Sequence, residues 1–261
     1  MSMQSDQQAI RTQDIVFPNG NATRTIFPPV ATNAQDLLHL LNIPAYNALL
    51  MLVGGASLLD EKLYPNLENL FTHGIAHLAV TRKALIIDGG TQAGVMELMG
   101  KGVAEQQHRS PLLGVSPEGV VTYPGKSLHA TVDQECVPLD PNHSHFVLVQ
   151  TNEWGGETET MYQLAQLYAQ SCPSVAMVVN GGSIAKKEIL YNVRQGRPII
   201  LFTGSGRLAD EIATLWQEKP SSFPTSEHAE IIQHGNIHLF PMTSTEAELV
   251  QLVQSLLGQQ T

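Results

Sequence analysis

Basic side chains are scarce in this sequence: 261 residues hold 14 Lys and Arg against 24 Asp and Glu, for a formal net charge of −10. A face basic enough to follow a phosphate backbone is hard to build from so few cations, so nucleic acid is not an expected partner. A small anionic ligand stays open, because backbone amides and one or two arginines can hold it locally. Cysteine is almost missing too. Cys136 and Cys172 suggest neither a disulfide framework nor a metal knuckle, and a reducing compartment is expected. No apolar run reaches membrane-spanning length, and Met1 to Gln13 lacks the basic-then-apolar layout of a signal peptide. The expected setting is the cytoplasm, with no membrane partner.

What is present is a chain with 43% hydrophobic residues, enough for one sizeable α/β domain. Seven short apolar runs, near 47–53, 84–88, 112–116, 145–150, 175–180, 198–202 and 237–241, alternate with segments that mostly carry a helical period. This pattern predicts a Rossmann-like open, mostly parallel sheet of about seven strands with helices on both faces. Apolar stripes mark four helices: Leu67, Leu70, Phe71, Ile75 and Leu78; Met161, Leu164, Ala165 and Tyr168; Leu208, Ile212, Leu215 and Trp216; Leu249, Leu252, Val253 and Leu256. Residues 1–12 read as a flexible tail, 13–46 as an arm and helix packing on the core, and 47–261 as the main domain. Within the arm, the β-prone Thr23 to Phe27 precedes Pro28-Pro29 and suggests an edge strand or an extended arm over the core, and Asn33 is placed to cap a helix through Leu41. The span from Pro117 to Asn142 shows no helix and reads as a functional flap or an irregular hairpin.

Four of the predicted strands end in glycine: Gly54-Gly55-Ala56, Gly89-Gly90-Thr91 with Gly94 beyond it, Gly181-Gly182-Ser183, and Gly204-Ser205-Gly206-Arg207. In an open parallel sheet such loops lie along one edge, where ligands bind at the reversal of strand order. The second loop has the order G-G-x-x-x-G, which is not the dinucleotide fingerprint. Val95 and Met96 stand where a P-loop needs Lys and Ser or Thr, which argues against that mode of NTP hydrolysis. Arg207 suits a phosphate, or else a surface pair with Asp210. Thr91 and Ser205 can donate hydroxyls to a ligand or cap their own helices. Glu157, after Gly155-Gly156, can grip a ribose diol or favour a helix dipole. His143 and His145 are spaced for one face of an extended segment; they offer part of a metal site without a third ligand, or hydrogen bonds that anchor the loop. No metal site is expected.

The series Ile87-Asp88-Gly89-Gly90-Thr91-Gln92-Ala93-Gly94, Asp140-Pro141-Asn142-His143-Ser144-His145-Phe146, Asn180-Gly181-Gly182 and Gly204-Ser205-Gly206-Arg207-Leu208-Ala209-Asp210 resembles the cytoplasmic N-terminal region of TRPM cation channels. It resembles still more the free-standing prokaryotic relatives of that region in the SLOG superfamily. The resemblance implies a Rossmann-like fold that binds or senses a nucleotide derivative: ADP-ribose, a cyclic ADP-ribose derivative, NAD or AMP. It implies no required cofactor and no channel activity. Ligand contacts are expected from the glycine loops together with Asn142, Gly156 and Glu157, with diphosphate over the Gly89 and Gly204 loops and ribose toward Glu157 and Gly181. More distantly, Asn180-Gly181-Gly182-Ser183-Ile184-Ala185-Lys186-Lys187-Glu188 resembles the P-G-G-x-G-T-x-x-E pattern of the Lonely Guy enzymes, which hydrolyse nucleoside monophosphates. Ile184 and Ala185 replace the glycine and threonine of that pattern, and its arginine motif has no counterpart. Binding without turnover is therefore favoured over an N-glycosidase using Glu188 or Glu157. A self-associating module is the third possibility, and a homo-oligomer is expected.

Overall fold

The structure is a computed structural model that describes residues 10–55, 59–126 and 136–258. Strand β1 (Arg11–Val16) is antiparallel to β2 (Ala22–Phe27); α1 (Ala34–Leu41) and β3 (Ala48–Gly54) follow. A helical stretch runs through α2 (Tyr64–Glu68), a π-helical turn (Asn69–Ile75) and α3 (Ala76–Arg82) into β4 (Ala84–Asp88), α4 (Gly94–Glu105) and β5 (Leu112–Pro117). Two short strands come next, β6 (Val121–Thr122) and β7 (Val137–Pro138), and then β8 (His145–Val149) and α5 (Thr158–Tyr168). The chain ends with β9 (Ser174–Val179), α6 (Ser183–Arg194), β10 (Ile199–Thr203), α7 (Arg207–Glu218), α8 (Ser226–His234), β11 (Ile237–Pro241) and α9 (Glu246–Gly258).

The seven expected strands are β3, β4, β5, β8, β9, β10 and β11. They lie in a nine-stranded sheet of order β1-β2-β8-β5-β4-β3-β9-β10-β11, parallel at every pairing except β1 with β2. Side chains alternate across each strand, so one strand feeds two cores. From β3, Leu49, Met51 and Val53 pack with α1, α5, α6, α7 and α8 on one face. Ala48, Leu50 and Leu52 pack on the other with the helical stretch from Leu67 to Ala79, α4 and α9. Strands buried on both sides explain the near-continuous apolar runs. The four helical stripes all face these cores, although Leu215, Trp216 and Leu252 are only partly buried.

The N-terminus departs from expectation. Strand β1 begins at Arg11, inside the stretch read as tail, and β2 is an inner strand because β1 covers its outer side. The six residues of β1 have no apolar period and are mostly exposed, so composition could not mark them. Their place comes from long-range contacts: Ile15 and Phe17 join a small third core with Phe27, Phe146 and Leu139, and the Arg11 guanidinium lies 3.8 Å from the Phe27 ring centroid. Asn33 caps α1 as anticipated, its side chain accepting the Gln35 amide. The irregular span contributes β6 and β7, which pair with each other, and Leu139 bridges to Thr91; residues 127–135 lie outside the described ones.

Candidate functional site

Strand order reverses between β3 and β9, since the chain moves from β3 outward through β4, β5 and β8 before returning to β9 on the other side. The loops that leave β3 and β9 therefore diverge to opposite faces and open a crevice at their carboxyl ends. A cavity of about 410 Å³ occupies it. Its walls include Gly54, the last residue of β3, and Gly55 after it, Gly89 and Thr91 after β4, Gly181 and Gly182 after β9, and Arg207 at the start of α7. Glu157, Ser183 and Glu188 complete the polar lining.

The glycines serve different ends. A side chain on Gly54, which has φ +77°, would put its Cβ 2.5 Å from the Val179 carbonyl oxygen, so β3 can lie this close to the β9 loop only with glycine there. Gly90, at φ +70°, faces away from the cavity, where a Cβ would meet Phe146 at 2.7 Å and the Gly114 Cα at 2.8 Å. It shapes the wall from behind. Gly94 is buried at the start of α4, and Gly156 packs against Thr151. Neither borders the cavity. Asn142 is also elsewhere, accepting a hydrogen bond from the Asn19 side chain at 3.0 Å. Ala56 lies outside the described residues.

The loop after β10 differs most from expectation. Its Gly204 and Gly206 amides donate to the Asp210 carboxylate at 2.6 and 3.0 Å, so they are already satisfied. Ser205 neither caps α7 nor borders the cavity: its hydroxyl donates to the Phe202 carbonyl and accepts the Asn180 amide at 2.8 Å. This loop is a clasp that fixes the β9 exit. Asp210 being occupied in this way, Arg207 turns to Asn180, with Nη1 3.4 Å from Oδ1. Its guanidinium lies across Gly182, where a Cβ would sit 2.8 Å from Nη2. Gly182 begins α6 with no side-chain cap, so the positive end of a 12-residue helix and a guanidinium share one place at the cavity wall.

Two carboxylates border the same space. Glu157 is 5% exposed and accepts the Gly155 amide at 2.8 Å; burial pushes its pKa up to about 7, against the pull of the Glu157 and Gly155 amides and of Lys187. Glu188, 8% exposed, is pushed up to about 8 by burial and then by the charge of Glu157. Beneath Glu188, Asn192 donates to the Tyr162 hydroxyl at 2.9 Å and accepts from buried Arg197 at 2.6 Å. The apolar walls are Leu52, Ala93, Met96, Val137, Trp154, Ile184 and Ala185, which no sequence motif marks as ligand-facing. Trp154, in the polar segment Asn152-Glu153-Trp154-Gly155-Gly156, was the one with a visible signal.

The two histidines part company. His143 is fully buried, with Nε2 2.8 Å from Asp88 Oδ1 and Nδ1 3.0 Å from Asp140 Oδ1. His145 pairs with the Ser144 hydroxyl at 2.8 Å. Among the described residues no group of three His, Cys, Asp or Glu side chains is placed to hold a metal. The His143 cluster supports the cavity wall instead, since Asp88 accepts the Gly90 amide at 2.7 Å and the Asp140 amide donates to the Gly90 carbonyl at 2.9 Å.

An open parallel α/β sheet with helices on both faces, and a cavity ringed by glycine loops where strand order reverses, defines the class: a Rossmann-like domain. The chain belongs to the family described as SLOG in TRPM, prokaryote, whose model matches residues 47–251. It is 27% identical over 252 aligned residues to mouse transient receptor potential cation channel subfamily M member 2, covering 83% of this chain and 16% of the channel. Human member 7 is 26% identical over 219 residues, covering 69% of this chain and 12% of that protein. A member-like 2 channel of Nematostella vectensis is 27% identical over 210, covering 67% and 13%. The chain thus spans less than a fifth of these channels. No helix among the described residues is long and apolar enough to cross a membrane.

Proposed function

We propose that the cavity binds a nucleotide derivative of the ADP-ribose type and that the protein acts, in the cytoplasm, as its sensor or carrier. The observation that carries this reading is the uncapped N-terminus of α6 with the Arg207 guanidinium lying across Gly182. Together they favour a phosphate, by backbone amides, helix dipole and a planar cation. The Gly204 loop is not assigned to the diphosphate, since Asp210 holds its amides. The ribose is placed toward Glu157, and Trp154 and Met96 offer apolar surface for a base. A volume of about 410 Å³ falls at the small end of ligand pockets, which hold about 300–1,000 Å³.

Thermal shift and calorimetry with ADP-ribose, cyclic ADP-ribose, NAD, AMP and ATP test this. At least one ligand should bind, and Arg207→Ala should weaken it by about 10- to 100-fold, the range expected for a hydrogen-bonded charge. No binding by any of them at millimolar concentration would overturn it.

A second reading is favoured by the meeting of Glu157 and Glu188 in one cavity. An N-glycosidase needs a carboxylate beside the ribose and an acid for the leaving base, and two buried carboxyls that differ in protonation can divide those roles. Chromatography of AMP and NAD incubated with the protein should then show free base, lost in Glu188→Gln. Intact nucleotide throughout leaves binding alone.

A further inference from the structure

Glu157 and Glu188 are brought together in a poorly solvated place and given little to neutralise them. Among the described residues neither carboxylate forms an ion pair, and the hydrogen bonding at Glu157 comes from backbone amides, those of Gly155 and of Glu157 itself. The charged and titratable groups around them come from α5, α6 and α7 and from the turn after α6. From α5 comes Tyr162; α6 offers the exposed Lys187, and Arg197 lies beyond its end, already hydrogen bonded to Ser174 and Asn192. Arg207 of α7 is turned to Asn180 and Gly182. The walls from β3, β4, α4 and β7 bring no charged residue to the cavity. Two like charges so enclosed repel each other and lack the water that would stabilise both, so the pair retains a proton where an exposed carboxylate has lost its own.

A phosphate at the α6 N-terminus enters this same cavity. It adds negative charge beside the pair and displaces water from it, and both effects raise the pair's hold on protons. We propose that the cavity binds its phosphorylated ligand together with a proton, taken from solvent onto a carboxylate oxygen of the Glu157–Glu188 pair. This rests on the nucleotide-binding reading and adds a regulation to it. Affinity is coupled to pH through a group that the ligand's own chemistry does not contain. Burial, and for Glu188 the charge of Glu157, push the two carboxyls well above the usual carboxylate range, up to about 7 and about 8. Affinity therefore weakens as pH rises from these values towards the higher ones the pair takes with ligand bound, by at most about tenfold per pH unit for one linked proton.

ADP-ribose is the suitable probe, because its diphosphate keeps a constant charge across the range. Calorimetry at pH 7.5 in two buffers of different ionisation enthalpy should show a fraction of a proton taken up on binding. Dissociation constants measured from pH 6.5 to 8.5 should rise in parallel. In Glu157→Gln/Glu188→Gln both effects should vanish at whatever affinity is left once Glu157 no longer faces the ribose. If that double variant does not fold or no longer binds ADP-ribose, Glu188→Gln alone, which removes the mutual repulsion, should reduce the uptake at least by half. Tight binding at constant affinity with no proton exchanged overturns the proposal and leaves the binding reading standing. No binding of ADP-ribose at millimolar concentration overturns both.

Discussion

At the scale of single residues, His143 shows how a buried charge can stabilise a site without entering it. Burial alone lowers the basicity of an imidazole, but the carboxylates of Asp88 and Asp140, with their hydrogen bonds, outweigh it and raise the pKa to about 9. The ring also stacks on Phe146 at 5.1 Å between centroids, and Phe146 is the side chain that Gly90 must approach. A histidine whose folded pKa lies above the usual 6.5 contributes stability that is fully present below pH 6.5 and lost as pH rises through about 9. Unfolding by urea should therefore need less denaturant at pH 9.5 than at pH 6.5. His143→Ala should cost about 3–5 kcal/mol at neutral pH, as expected when one partner of a buried charge cluster is removed, and should flatten that pH dependence. A variant that loses stability but keeps the wild-type pH slope would assign the slope to another group.

At the scale of elements, the helix N-termini at the cavity share one feature, the lack of a side-chain cap. The N-termini of α1 and α8, which do not border the cavity, are capped by Asn33 and Thr225. Around the cavity α4, α5, α6 and α7 begin at Ala93, Glu157, Gly182 and Gly206 with no side-chain cap. An uncapped first turn leaves amides to be satisfied by water or a ligand, and at α7 the Gly206 amide, just outside the first turn, is met by Asp210 from within the helix. Asn33→Ala should cost about 1 kcal/mol of stability, the usual value of an N-cap, with the affinity for any nucleotide unchanged. A denaturant titration and a binding isotherm on the same protein separate the two. A change in affinity would mean that α1 reaches the cavity through α5, on which it packs.

At the scale of the whole molecule, the seven core strands and four helix stripes were legible because each is a local pattern: buried parallel strands are apolar throughout, and helices repeat every 3.6 residues. Strand β1 was not, since Arg11-Thr12-Gln13-Asp14 is polar and finds its place only by pairing with β2. Several of the glycine loops lie at the edge of the sheet where the cavity opens. Sequence could not distinguish Gly54 and Gly182, which border the cavity, from Gly90, which backs it, or from Gly204 and Gly206, whose amides Asp210 takes. The sequence by itself determined the class of fold and the family, because hydrophobic period and ordered short motifs are carried within single segments. Only the tertiary structure decided the reversal of strand order between β3 and β9, the cavity it opens, and the meeting of Glu157 with Glu188. Those depend on which helices and strands pack side by side, a choice set by contacts between segments distant in the chain.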